Sequence, residues 1–256
     1  MELNRIYNEN CLDTMARMPD GVIDLTVTSP PYDNLRTYNG YEFDFEPIAR
    51  ELYRVTKKGG VVVWVVGDAT VNGSETGTSF RQALYFKEIG FNVETMIWEK
   101  MGNGCLGSNY FYGQNFEFMF VLTSGKPTTT NLLRDRKNVQ MAGTVNTSNG
   151  HLDQSGKGVN RQIIRQEFGV RHNIWQINPF QNSEHPAPFP EQLAKDHILS
   201  WSNEGDLVYD PFMGSGTTAK AAHQLKRRWI GSEISSEYVE LANKRLEPYL
   251  MQETLF

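Results

Sequence analysis

The 256-residue sequence predicts an α/β fold, a mainly parallel central sheet flanked by helices, and three observations carry that prediction. Val61-Val62-Val63-Trp64-Val65-Val66 is an unbroken apolar, mostly β-branched run, the pattern of a strand covered on both faces by helices. Segments with apolar residues at helical spacing alternate with such runs along most of the chain. Near the end, Leu207-Val208-Tyr209 leads into a glycine-rich turn, a helical pattern, a second short strand and then Glu233, which together make a nucleoside-binding half-fold.

The elements follow in order. Asn10 can cap a short helix carrying Leu12, Met15 and Ala16, with Asp13 in its first turn. Pro19-Asp20-Gly21 turns the chain into the apolar strand Ile23 to Ser29, and the polar stretch Asp33 to Gly40 after it reads as a loop. Phe45, Ile48, Ala49, Leu52 and Tyr53 recur at helical spacing, and Gly59-Gly60 is expected to break that helix before the Val61–Val66 strand. Ser79 with Gln82 has the spacing of a capping box ahead of Ala83, Leu84 and Phe86. Strands are expected from Val93 to Trp98 and from Phe116 to Thr123, with a Gly-rich aromatic run, Gly102 to Gly113, between them. From about Pro127 to His172 the apolar period fades and Thr, Asn, Gly, Ser and basic residues take over, so 127–172 reads as an insertion into a domain formed by 1–126 and 173–256. Pro190 suits the first position of a helix through Leu193, Ala194, Ile198 and Leu199. A strand at Leu207 to Tyr209, a helix from about Thr217 to Leu225, a strand at Trp229 to Gly231 and a helix with Tyr238, Val239, Leu241, Ala242 and Leu246 complete the pattern.

Composition excludes several classes. Cys11 and Cys105 form neither a C-x-x-C pair nor a secreted disulfide framework, which fits a reduced, cytoplasmic setting. The five histidines show no metal-ligand spacing, so no metal is expected. No stretch has the continuous apolar length of a membrane helix, and the start, Met1-Glu2-Leu3-Asn4-Arg5, is not a signal-peptide pattern. A net charge of -5 argues against a protein that coats DNA by bulk attraction. The charge is uneven, however: between Lys126 and Arg171 lie eight basic residues against three acidic ones, a segment suited to docking on phosphate. Arg134, Arg136, Lys137, Arg161 and Arg165 of that segment, with Arg36 of the Asp33–Gly40 loop, are the candidate DNA contacts.

Two motifs carry chemistry. In Thr28-Ser29-Pro30-Pro31-Tyr32 two prolines end the strand rigidly, Ser29 and the Pro30 carbonyl offer two acceptors, and Tyr32 offers a flat face. That set can hold a planar ring by an exocyclic amine. In Asp210-Pro211-Phe212-Met213-Gly214-Ser215-Gly216-Thr217-Thr218 the glycines allow a sharp turn and a close approach by a ligand, and the helix start behind them favours a carboxylate. Glu233 is placed to accept hydrogen bonds from two ribose hydroxyls. The glycine spacing also fits a dinucleotide fingerprint, so a nicotinamide-dependent oxidoreductase stays open on this motif alone, although it leaves Thr28 to Tyr32 idle.

Thr-Ser-Pro-Pro-Tyr resembles the catalytic motif of the S-adenosylmethionine-dependent DNA amino-methyltransferases, and Asp-Pro-Phe-x-Gly-Ser-Gly-Thr-Thr resembles their cofactor loop. The catalytic motif comes first here and the cofactor loop near the end, a permuted order similar to the β group of that superfamily, in which the inserted region is the target recognition region. The resemblance implies a Rossmann-like methyltransferase fold and S-adenosyl-L-methionine as cofactor. It implies double-stranded DNA as substrate with the target base flipped, allows a homodimer, and allows a cognate restriction endonuclease as partner. Serine at Ser29 is similar to the cytosine-N4 type, with adenine-N6 methylation as the alternative and a catalytically silent DNA-binding regulator as a third reading.

The resemblance also assigns roles by position. Ser29, Pro30, Pro31 and Tyr32 would be catalytic, and Thr28, Asp210, Pro211, Phe212, Gly214, Ser215, Gly216, Thr217, Thr218 and Glu233 would bind cofactor. His185-Pro186-Ala187-Pro188-Phe189-Pro190 resembles the motif lining the methionine end of the pocket, where some members carry lysine in place of Phe189. Glu9-Asn10 stands where the family tends to have Gly-Asp. Asn10 is therefore a candidate acceptor for the cofactor's adenine amine as well as a helix cap, and Cys11 would offer its backbone amide.

Overall fold

The run Val61–Val66 is buried at 1 % exposure or less along its whole length, as a strand covered on both faces requires. It belongs to a computed structural model that describes residues 1–31, 43–100, 110, 112–139, 142–143, 145–152, 158–164, 166–179 and 189–252.

In chain order the elements are β1 (Arg5–Tyr7), α1 (Cys11–Ala16), β2 (Ile23–Thr28), α2 (Phe45–Val55), β3 (Thr56–Val66), β4 (Thr70–Val71), β5 (Ser74–Glu75), α3 (Thr78–Glu88), β6 (Asn92–Lys100) and β7 (Phe116–Thr123). Then come β8 (Arg136–Lys137), β9 (Val145–Leu152), β10 (Gly158–Ile164), β11 (Phe168–Gly169), β12 (Ile174–Ile177), α4 (Glu191–Trp201), β13 (Leu207–Asp210), α5 (Thr217–Gln224), β14 (Arg228–Ser232) and α6 (Ser236–Gln252). The central sheet has eight strands in the order β1-β14-β13-β2-β3-β7-β6-β12. Every neighbouring pair in it is parallel except the two made by β7. The mainly parallel sheet expected from the sequence is therefore what forms.

Alternation along β3 separates two cores. Val62, Trp64 and Val66 join Met15 of α1, Ile48, Ala49 and Leu52 of α2, and Phe86 of α3. Val61, Val63 and Val65 face the other way, where α4 packs over β2 and β3 and buries Leu193, Ala194 and Ile198 completely. Asn10 caps α1 as expected, its Oδ1 accepting the Leu12 amide at 2.9 Å.

Three local expectations are corrected. Gly59-Gly60 does not end the helix; α2 stops at Val55 and both glycines lie within β3, where the pairing with β2 shifts register between Ile23 and Leu25. They are there because the chain is crowded: a Cβ on Gly60 would lie 2.9 Å from the Lys57 carbonyl oxygen and 3.1 Å from that of Asp24 on the neighbouring strand. Ser79 and Gln82 do not form a capping box. Asp68 accepts the Ser79 amide at 2.9 Å and its hydroxyl as well, while Gln82 Oε1 takes the Trp64 indole N–H at 2.9 Å. Pro190 precedes the helix, with extended backbone (φ -61°, ψ 140°), and α4 begins at Glu191.

The chain divides into two compact units, Met1–Asn131 with Asn173–Phe256, and Leu132–His172. Residues 127–131 go with the larger one, since the Thr128 amide donates to Gly59 O at 3.0 Å and the Asn131 amide to Ser200 O at 2.8 Å. The smaller unit, taken by itself, holds the antiparallel pairs β9–β10 and β8–β11. Among the described residues no helix is long and apolar enough to cross a membrane.

Gly60→Ala forces a methyl against two backbone carbonyls that cannot turn aside, and the expected loss is about 1–3 kcal/mol of stability, the usual cost of overpacking. Urea unfolding of the two proteins checks this, and equal midpoints would mean that β2 and β3 are not so closely apposed.

Candidate active site

Because β2 and β13 are adjacent and parallel, with Val208 opposite Leu25 and Tyr209 opposite Thr26, their carboxyl ends emerge side by side. They are also where the chain changes direction: β13 continues through α5 to β14 on one side, and β2 through α2 to β3 on the other. A ligand crevice in an open α/β sheet forms outside the carboxyl ends of strands at such a switch point. Both sequence motifs begin there.

They are bonded to each other. Thr28 is fully buried and its hydroxyl donates to Asp210 Oδ1 at 2.6 Å, across a sequence separation of 182 residues. The same Oδ1 accepts the Phe212 amide at 3.0 Å, and the Thr218 hydroxyl donates to Val27 O at 3.2 Å. Thr28, Asp210 and Thr218 thus tie the proline corner to the glycine turn. Burial pushes the Asp210 carboxyl up to about 6, against the hydrogen bonds from Thr28, Thr218 and the Phe212 amide, which favour the ionised form. Beyond Thr28, Ser29 and Pro31 are half-buried and Pro30 is buried, so the corner reaches the surface at Ser29. Pro211 is buried, and Phe212 packs edge-on to Phe43 and Trp64 at 5.7 and 6.1 Å.

The glycine turn is shaped by its backbone. Gly214 and Gly216 take positive φ of 51° and 81°, which suits glycine, and the Gly216 amide closes the turn on Met213 O at 3.0 Å. The turn leans on β14, since the Met213 amide donates to Ser232 O at 2.9 Å, and Gly231 leaves room where a Cβ would lie 2.3 Å from the Met213 methyl. Glu233, only 8 % exposed, accepts the Gly214 amide at 2.8 Å on one carboxylate oxygen and the Ser235 amide at 2.9 Å on the other. Burial raises its pKa, in opposition to the amides of Ser235, Gly214 and Ile234. Ser215, Thr217 and Thr218 are buried around the start of α5.

Several of the candidate residues also serve the fold. The Asn10 side-chain oxygen holds the cap of α1, and the Cys11 thiol is buried with its pKa pushed to about 12. Phe189 is half-buried just before α4. In the smaller unit, Arg134 and Lys137 are exposed, whereas Arg136 is half-buried and its Nε donates to Val170 O at 2.9 Å. Tyr32, Arg36, Arg165, His185 and Pro186 lie outside the described residues, as does the side chain of Arg161.

Two residues that the sequence did not single out support the site. Asn8 Nδ2 donates to Glu233 O at 2.9 Å and Ile234 O at 3.1 Å, fixing the chain on both sides of that peptide. Arg245 of α6 reaches the turn at Ser215 and Thr217. Neither carries a local signal, since an Asn beside a strand and an Arg on an amphipathic helix are ordinary surface choices.

The DNA methylase family, which joins N6 and N4 methyltransferases, matches residues 23–244, a span that contains both motifs and the insertion. The chain belongs to that family. It is a DNA methyltransferase of the N6/N4 type, and its relatives align with it over most of their own length. Orphan methyltransferase M.BamHII of Bacillus amyloliquefaciens is 58 % identical over 243 residues, 91 % of each chain. TTHA0409 of Thermus thermophilus, solved in complex with S-adenosyl-L-methionine, superposes with a TM-score of 0.64 at 25 % identity, covering 96 % of this chain and 95 % of its own. The cytosine-N4-specific PvuII DNA methyltransferase shares the fold at a TM-score of 0.70 and 20 % identity, over 94 % of this methyltransferase and 85 % of its own chain.

The raised Asp210 pKa sets a pH dependence. The folded state keeps this proton up to about pH 6, whereas the unfolded chain loses it near 3.8. Stability therefore falls as pH rises through that window and levels off above it. Asp210→Asn, which retains an acceptor oxygen, removes the contribution, so the stability difference between the two proteins changes by about 3 kcal/mol between pH 3.5 and 7. Urea titrations at both pH values measure it, and parallel pH profiles would contradict a proton on Asp210.

Proposed function

We propose that this methyltransferase uses S-adenosyl-L-methionine to methylate the exocyclic N4 amine of a flipped cytosine in double-stranded DNA. The observation that carries the reading is the Thr28–Asp210 hydrogen bond, which brings an amine-reading corner and a nucleoside-binding turn to one sheet edge. The residues there fit the cofactor. A carboxylate has about four acceptor sites, and Glu233 accepts the Gly214 amide on one oxygen and the Ser235 amide on the other, so the group is aligned by the backbone and keeps acceptor capacity for ribose. The positive pole at the start of α5, behind Gly214 and Gly216, suits the carboxylate of a methionine moiety. The S-adenosyl-L-methionine complex of TTHA0409 supports the same cofactor. When bound, the cofactor supplies an electrophilic methyl group on a sulfonium.

This chain's own residues do the rest. An aromatic amine is a weak nucleophile because its lone pair is delocalised into the ring. The Ser29 hydroxyl and the Pro30 carbonyl accept its two hydrogens, which favours a tetrahedral nitrogen with its lone pair available. Tyr32 stacks on the extruded base, which is worth about 1–3 kcal/mol and offsets much of the cost of unpairing. Cys11, the cysteine among the described residues, is buried and protonated and takes no part. The unit Leu132–His172 is the target recognition region, with Arg134 and Lys137 exposed for phosphate contact. Serine at position 29 favours cytosine over adenine.

Methyl transfer from labelled cofactor to DNA, followed by nucleoside mass spectrometry, tests the proposal. The expected product is N4-methylcytosine; N6-methyladenine would replace the base assignment. Ser29→Ala is expected to lower the rate about 100-fold or more with the fold intact, the scale of losing one positioned hydrogen-bonding group, and full activity would remove Ser29 from the mechanism. Calorimetric titration of Glu233→Ala is expected to show cofactor affinity weakened by about 10-fold or more, and unchanged affinity would refute the ribose contact.

A further inference from the structure

We infer that Arg245 is a positioning residue for cofactor binding, the brace that holds the Ser215–Thr217 segment in its binding shape. The inference rests on the cofactor reading above. Arg245 lies on the last helix, 29 residues beyond Gly216, yet its Nη1 lies 3.2 Å from Ser215 O, 3.3 Å from Ser215 Oγ and 3.2 Å from Thr217 Oγ1. Its two hydrogens are thus shared among three acceptors on two residues that flank Gly216. Ser215 precedes α5, and its buried carbonyl gains a partner from this guanidinium.

The arrangement is not what helix stability alone would select. A cation beside the start of α5 has the wrong sign for the helix dipole. It is held by Glu191, at the first turn of α4, whose Oε2 lies 3.7 Å from Arg245 Nη2 and 2.7 Å from Lys220 Nζ of α5, while its Oε1 takes Lys195 Nζ at 2.7 Å. One carboxylate therefore ties α4, α5 and α6 together at the base of the turn. With Gly214 and Gly216 both in the left-handed region, the turn has little intrinsic rigidity, and an unbraced turn must be ordered when ligand arrives. That cost falls on binding. The guanidinium also deepens a positive potential that favours a carboxylate group.

The test is the steady-state kinetics and calorimetry of Arg245→Met, which keeps an apolar stem and removes the donors. The expected result is a KM and Kd for S-adenosyl-L-methionine raised about 10-fold or more, with kcat at saturating cofactor within about threefold of the unsubstituted enzyme and the KM for DNA unchanged. Arg245→Lys, which keeps a charge and point donors but loses the fork, is expected to fall between the two and carries the test if the methionine variant does not fold. A lowered melting temperature with unchanged cofactor KM in the folded variant would make Arg245 merely structural and overturn the inference. So would no change in either quantity. If the unsubstituted chain binds no S-adenosyl-L-methionine, the cofactor reading fails, and this inference with it.

Discussion

The hydrogen bond from Thr28 to Asp210 is the constraint on which the site depends. It lies inside the sheet, where water cannot substitute for a lost partner, so either group left alone would carry the full cost of an unsatisfied buried polar atom. Its geometry follows from two adjacent parallel strands ending at the same level. Once β2 and β13 are neighbours, the proline corner and the glycine turn are fixed within a few ångströms of each other, and the intervening chain is free to carry an insertion.

The glycine turn shows how a flexible sequence is made rigid. Gly214 and Gly216 give it its path, but their backbone freedom would otherwise cost order. Three neighbours restrain it: Asp210 holds the Phe212 amide, Glu233 holds the Gly214 amide, and Arg245 holds Ser215 and Thr217. Glu233 has two tasks in this account. Its oxygens already pin the turn and the Ser235 amide, so the group that would recognise ribose is aligned before any ligand binds.

The parallel sheet was readable because Val61 to Val66 is apolar without alternation, and the site was readable because each motif shapes its own backbone within a few residues. Misreadings arose where a local pattern was satisfied from elsewhere. Gly59-Gly60 looks like a helix terminator, but Gly60 relieves crowding against Asp24 and Lys57 and Gly59 against Lys126 and Thr128. Ser79 has the spacing of a capping box, yet Asp68, eleven positions upstream, reaches its amide and hydroxyl first.

Strand and helix identity, the proline corner, the glycine turn and the acid after β14 were set by residues close in the chain, because they depend on propensity, φ preference and short-range hydrogen bonds. Which strand lies beside which, and hence that Thr28 meets Asp210 and that Arg245 reaches Ser215, was decided only when the sheet assembled. Those contacts join residues tens to hundreds of positions apart. No local pattern encodes them, because the partner is chosen by packing the whole sheet and its helices rather than by the neighbours of either residue.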